Sequence, residues 1–210
     1  MTPKLAQSVD PIFLHVLDLL DRIGDGQEPN AQEEQIRIRA LLDQAEALMG
    51  NSQQWELAKY ALVSWIDEML VDAEWRGSEW WSNNVLEVEL FKSRLCNERF
   101  YVRAAEASGL TGRDALEVYY VCVVLGFRGL YRDPNLAAIF TEAHGLPTDL
   151  ATWAKQTSMS IRLGQGRPAL SRSGREMAGA PPLFTREQMV WPWVGVVSLA
   201  AVSILLYWFK

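Results

Sequence analysis

The sequence predicts an all-α protein: two small helical bundles followed by one C-terminal transmembrane helix. Three observations lead there. From residue 8 to His144, apolar residues recur at helical spacing in segment after segment, each bounded by capping residues, glycine or proline. The joints between these segments are short, as they are between neighbours in a helical bundle. The chain then reaches residues 189–209, MVWPWVGVVSLAAVSILLYWF, a stretch of 21 residues without a charge.

The first helix is expected over residues 8–23, with Asp10 as its cap and Pro11 in its first turn. A second follows Asn30, which pairs with Glu33 as a cap. Its inward face is read as Ile36, Ile38, Leu41, Leu42, Ala45 and Leu48, and Gly50 closes it. Ser52 caps a third, Gln53–Asp72, with Trp55, Ala58, Leu62, Trp65, Ile66, Met69 and Leu70 turned inward. Trp75, Trp80 and Trp81 surround Gly77 in the next connection. Three large rings in a joint plug one end of a bundle, with ligand stacking as the alternative.

Further helices are expected over 85–92 and 98–107, then over 114–126. The run VYYVCVVLGF in the last is apolar on nearly every side, so a buried strand competes with a helix there. Its helical neighbours and its length favour a helix, the central one of the second lobe. Pro134–His144 forms another, stopped by Gly145 and Pro147, and residues 149–157 add a short one. The domain plan is therefore a helical body over residues 1–157, a flexible basic linker over 158–186 rich in Gly, Pro, Ser and Arg, and a transmembrane tail anchor over 187–209.

An apolar helix of 21 residues spans roughly 31 Å, close to the hydrocarbon thickness of a bilayer. Trp191 and Trp193 at one end, and Tyr207 and Trp208 at the other, are the rings that membrane interfaces select. A buried core helix is the competing reading, and it lacks the polar face a soluble helix shows. Pro192 fits the first turn, or kinks the helix if Thr185 and Gln188 cap it earlier. Gly195, Ser198 and Ala201 form a small-residue stripe through which the anchor would pair with other membrane helices, a second copy included.

Charge sets the orientation. Residues 1–154 carry 13 Lys and Arg against 24 Asp and Glu, whereas residues 155–210 carry 7 against 2. A basic flank before the anchor places the body in the cytoplasm and suits an anionic leaflet. An acidic body speaks against nucleic-acid binding. The first ten residues lack the apolar core of a signal peptide. Cys96 and Cys122 read as free thiols of a cytoplasmic domain.

Signals for catalysis are weak. His15 and His144 fall on separate helices without a partner at metal spacing, and neither a phosphate-binding glycine loop nor GxSxG occurs. No metal and no cofactor are expected. Asp67, Glu68, Asp72 and Glu74 form the one acidic group of interest. Glu68 and Asp72 lie one helical turn apart and could hold Mg²⁺ or act as acid and base, which would make the protein a membrane-tethered hydrolase. A solvated helix face is the plainer reading. The favoured one is a partner-binding cleft: carboxylates beside Trp65 and Ile66 that receive a basic segment.

Two stretches carry a family resemblance. Tyr60-Ala61-Leu62-Val63-Ser64-Trp65-Ile66-Asp67-Glu68-Met69-Leu70 leads to Trp75, Gly77 and Trp80-Trp81; Leu116-Glu117-Val118-Tyr119-Tyr120 runs into Leu125-Gly126-Phe127-Arg128-Gly129-Leu130-Tyr131. Together with the tail anchor they resemble the DotU/TssL family, inner-membrane subunits of type VI secretion systems related to a type IVB component. The resemblance implies a hook-like cytoplasmic domain of two bundles with a cleft between them, at which Asp67 and Glu68 lie. It implies assembly with an IcmF/TssM-like membrane subunit and, through the complex, an outer-membrane lipoprotein. It also implies docking of a baseplate through a TssK-like subunit, and no catalysis. The type IVB counterpart, which stabilises an IcmF-like partner, is the alternative. Many relatives carry a glycine pair where this chain has Cys96-Asn97-Glu98-Arg99 before Phe100-Tyr101. Some extend into a peptidoglycan-binding domain; here wall binding is expected of another subunit.

Overall fold

The computed structural model describes residues 1–164. These are helical from end to end apart from short joints: α1 (Pro3–Gly24), α2 (Ala31–Met49), α3 (Gln53–Asp72), α4 (Ser78–Asn83), α5 (Leu86–Phe91), α6 (Cys96–Gly109), α7 (Asp114–Val124), α8 (Pro134–His144) and α9 (Leu150–Gly164), with a 3₁₀ turn at Gly129–Arg132 between α7 and α8. No strand occurs among the described residues. The Val-rich run of α7 is helical because α3, α6 and α9 cover it on several sides, which removes the need for one polar face.

α3 is the axis. Ser52 starts it by accepting a hydrogen bond from the Trp55 amide at 3.2 Å. From Leu57 to Glu68 every residue but Lys59 is buried, polar ones included. A helix without a solvent face must be surrounded, and α1, α2, α4, α5, α6 and α7 all pack on α3. The described residues accordingly gather into one compact unit with one continuous core. The two expected bundles share α3 and are not separate lobes. One side holds α1 and α2, where Phe13 meets Trp65 at 5.1 Å between ring centres. The other holds an aromatic cluster from α6, α7, the 3₁₀ turn and α9, in which Phe100 stacks on Phe127 at 3.9 Å.

Three local expectations need correcting. α1 does not begin near Asp10: Thr2 caps it, Pro3 takes the first turn, and Pro11 lies inside. An interior proline loses one backbone bond, but the buried stripe Leu5, Ser8, Val9, Ile12 and Phe13 runs across it and holds the helix together. In α2, Ile36 and Leu48 face solvent, at 62% and 53% exposure, because the buried line is Ala31, Glu34, Ile38, Leu42 and Ala45. Glu34 can be inside because His15, Arg22 and Arg37 all reach it, at 3.0, 3.3 and 2.9 Å. At the other end, α9 runs past Thr157 to Gly164, since Ile161 continues the buried stripe of Trp153 and Thr157. The body therefore takes in the first part of the expected 158–186 linker.

Other expectations hold as local structure. Asn30 accepts from the amides of Gln32 and Glu33 at 3.0 and 3.1 Å. Trp75 and Trp81 are buried and Trp80 half-buried, so the rings fill the end of the core around α3. Cys96-Asn97-Glu98-Arg99 is the first turn of α6. Among the described residues no helix is long and apolar enough to cross a membrane. The anchor expected over 187–209, with Trp191, Trp193, Tyr207 and Trp208, lies outside the described residues.

Candidate functional site

The last turns of α3 and the joint after it carry four carboxylates, Asp67, Glu68 and Asp72 on the helix and Glu74 beyond it, and the fold treats them differently. Asp67 and Glu68 are buried, at 3% and 8% exposure, and adjacent positions on a helix send them in different directions. Asp67 turns toward α4 and α5. Its Oδ1 accepts the Trp81 indole N–H at 3.0 Å and the Leu86 amide at 2.9 Å; its Oδ2 accepts the Glu87 amide at 2.8 Å. Glu68 turns toward the 3₁₀ turn and accepts the Arg128 and Gly129 amides at 2.7 and 2.9 Å.

Glu87, a residue the sequence reading passed over, repeats the pattern one step further. It is 1% exposed. Its Oε1 accepts the Tyr60 hydroxyl at 2.8 Å and the Leu95 amide at 3.2 Å, and its Oε2 accepts the Cys96 amide at 3.0 Å. So Asp67 ties down the start of α5, Glu87 within α5 ties down the start of α6, and Glu68 ties down the start of the 3₁₀ turn.

These three helix starts share a deficiency. Val85, Leu95 and Arg128 occupy their cap positions, and none supplies a side-chain acceptor. The first amides of a helix lack intrahelical partners, and a negative charge is favoured there. Carboxylates distant in sequence fill the role that Ser, Thr, Asp or Asn plays locally elsewhere. Gly129 belongs to the same arrangement. Its φ is +52°, and a Cβ there would lie 2.8 Å from the Phe127 ring and 3.0 Å from the Asn97 carbonyl oxygen.

Burial pushes Asp67 up to about 6, against the pull of its three N–H donors. Burial also raises Glu68, opposed by the Arg128 and Gly129 amides and by the Arg132 charge. Burial pushes the Cys96 thiol well above its usual range, with the carboxylates of Glu87, Asp67 and Glu68 adding to it. The cysteine is thus a poor nucleophile. Both cysteines are free.

Asp72 and Glu74 are exposed. Arg132 forks onto both oxygens of Asp72 and also reaches Glu68 at 3.2 Å. Asp67, Glu68, Asp72, Glu87, Arg94 and Arg132 line one cavity of about 230 Å³ between the end of α3, the start of α6 and the 3₁₀ turn. Glu74 lies outside it. The structure thus brings three of the four expected carboxylates to one recess. It corrects their role, however: Asp67 and Glu68 are interior tethers, not an open acidic patch, and the rim mixes Asp72 with two arginines. As an acid–base pair they are badly placed, since each of their oxygens already accepts a backbone amide. Among the described residues no group of three His, Cys, Asp or Glu side chains is placed to hold a metal ion. His15 sits half-buried on α1 against Glu34, and His144 lies at the end of α8 with its Nδ1 3.1 Å from the Phe140 carbonyl oxygen.

Sequence offered no signal for Glu87: Asn84 stands directly before the helix expected over 85–92, and only the structure moves the cap position to Val85, which has no side-chain acceptor.

Comparison with known proteins completes the description. The family described as type VI secretion system protein DotU matches residues 4–210. Among solved structures, the cytoplasmic domain of TssL from Acinetobacter baumannii is similar with a TM-score of 0.60 and 23% identity, over 76% of this chain and 98% of that one. At that identity the likeness speaks to the fold alone. No curated protein matches the chain.

Proposed function

Because the chain belongs to the DotU family of type VI secretion system proteins, we propose that it is a structural inner-membrane subunit of the secretion machine. In this reading residues 187–209 anchor it, the hook-like helical body lies in the cytoplasm, and no reaction is catalysed. The body binds an IcmF/TssM-like membrane subunit and receives the baseplate through a TssK-like subunit at the cleft. An outer-membrane lipoprotein joins indirectly.

The observation that carries the reading is the family match, which runs through both the body and the expected anchor. It also favours type VI secretion over the type IVB counterpart. The cleft geometry supports a docking role. Three buried carboxylates fix the chain entries that form its walls, so a partner meets a surface already in place and little ordering opposes binding. The rim charges Asp72, Arg94 and Arg132 then set register and steer the encounter.

The test changes the rim and spares the tethers. Arg94→Glu and Ser82→Trp, the second to fill the recess, should reduce recruitment of the TssK-like subunit and target-cell killing. The protein should stay folded, bound to its IcmF-like partner and resistant to alkaline carbonate extraction. Unchanged recruitment in both variants would remove the cleft from the reading, and release by carbonate would remove the anchor.

A further inference from the structure

Among the described residues, little covers the apolar helix α8. Its sequence is PNLAAIFTEAH, and its main packing neighbour is the 3₁₀ turn. Ala137 and Thr141 point inward as a narrow i, i+4 line, whereas Ala138, Ile139 and Ala143 face solvent, Ile139 at 72% exposure. A surface helix ordinarily turns polar residues outward; Glu142 is the single acid within this one.

Cavities flank α8 on two sides. One, of about 370 Å³, is lined by the apolar side chains of Leu130, Ile139 and Phe140, with Glu98 and Asp133 beside them. The other, of about 580 Å³, is walled by Pro134, Ala137, Ala138, Leu146 and Leu150, with Glu142 and Asp149 beside them. Each volume suits apolar side chains of a bound segment. None of these four carboxylates has an ion-pair partner among the described residues. Arg132 is the one cation lining either cavity, and Asp72 and Glu68 already engage it.

We propose that α8 and its flanking cavities form a docking face for an amphipathic helical segment of a partner protein, one that places apolar side chains in the cavities and lysines or arginines against Glu98, Asp133, Glu142 and Asp149. The charge decides the occupant. An apolar groove edged by four carboxylates outside any ion pair, Asp133 and Asp149 serving only as local caps and the one arginine already held by Asp72 and Glu68, attracts basic amphipathic segments and repels acidic ones. A second copy is disfavoured, because residues 1–164 carry 15 Lys and Arg against 24 Asp and Glu. This face adjoins the cleft, with which its first cavity shares Asn97 and Arg132, but Ile139, Glu98 and Asp133 do not line the cleft and take no part in tethering its walls.

The test uses the full chain in detergent micelles, with two fluorescent helical peptides as probes, one of leucine and lysine and the other of leucine and glutamate. Fluorescence anisotropy gives affinity, and a photo-reactive p-benzoylphenylalanine in place of Ile139 gives location. The lysine peptide should bind, weaken in salt and cross-link at position 139, and the glutamate peptide should not. Ile139→Glu should weaken binding at least about tenfold, and Glu98→Gln with Asp133→Asn about fivefold. Asparagine at 133 can still cap α8, and circular dichroism checks that each variant is folded. Arg94→Glu should leave peptide binding unchanged, which separates this face from the cleft. Equal binding of both peptides, no binding, binding indifferent to Ile139→Glu, or cross-linking of position 139 to a second copy would each overturn the proposal.

Discussion

Replacing Asp67 by alanine tests whether this carboxylate is an interior tether. The substitution leaves the Trp81 indole and the Leu86 and Glu87 amides without their acceptor. An unsatisfied buried donor costs about 1–3 kcal/mol; at the lower part of that range three donors amount to about 4 kcal/mol. That value applies near pH 5, where a carboxyl with a folded-state value of about 6 is mostly protonated. Its ordinary value is 3.8. The native state therefore holds the proton longer than the unfolded chain does. Asp67 favours folding fully below about pH 4, and that contribution is lost as pH rises through about 6. Between pH 5 and 7 the wild-type protein gives up roughly 1.3 kcal/mol from this residue, and the alanine variant does not. The expected destabilisation is thus about 4 kcal/mol at pH 5 and nearer 3 kcal/mol at pH 7. With a urea slope of about 2 kcal/mol per molar, the midpoint gap between the two proteins narrows by about 0.7 M. Glu68 shifts in the same direction but is present in both proteins and cancels. Urea titration followed by far-UV circular dichroism at the two pH values measures the gap. A gap that widens toward pH 7 would refute the reasoning, because the N–H donors would then outweigh burial and hold the carboxylate charged.

Glu87→Ala should lower stability by about 2–4 kcal/mol, since it strands the Tyr60 hydroxyl and the Leu95 and Cys96 amides. Hydrogen exchange should accelerate at those two amides before it does in α3. A double-mutant cycle on Asp72 and Arg132 should give a coupling below about 1 kcal/mol that shrinks in salt, because the pair is half open to solvent at 39% and 51%. In α2, Ile38→Ala should cost about 2–4 kcal/mol in chemical denaturation and Ile36→Ala less than about 0.5 kcal/mol, since the first side chain is fully buried and the second 62% exposed. Comparable losses at the two positions would mean that the inward face of α2 has been misassigned.

What the sequence determined by itself is the part of the structure that short-range physics decides. The helical class, the span Gln53–Asp72 with Ser52 as its cap, the Asn30 cap and the helix Pro134–His144 all follow from periodicity, capping side chains, glycine and proline within a few residues of one another. The signatures around Asp67–Glu68 and Gly126–Gly129 likewise identified the family. Packing decided the rest. Which face of α2 turns inward depends on where α1 lies, so Ile36 and Ile38 could not be told apart by hydrophobicity. The start of α1 depends on a buried stripe that overrides Pro11, and the reach of α9 depends on Ile161 meeting the core. The clearest case is the acidic signature. Asp67, Glu68 and Glu87 look like solvated charges until the fold brings them uncapped helix starts 19 to 61 residues away, or only 8 and 9 away for Glu87. A carboxylate's role is set by the amides it meets, and only the tertiary structure brings those amides to it.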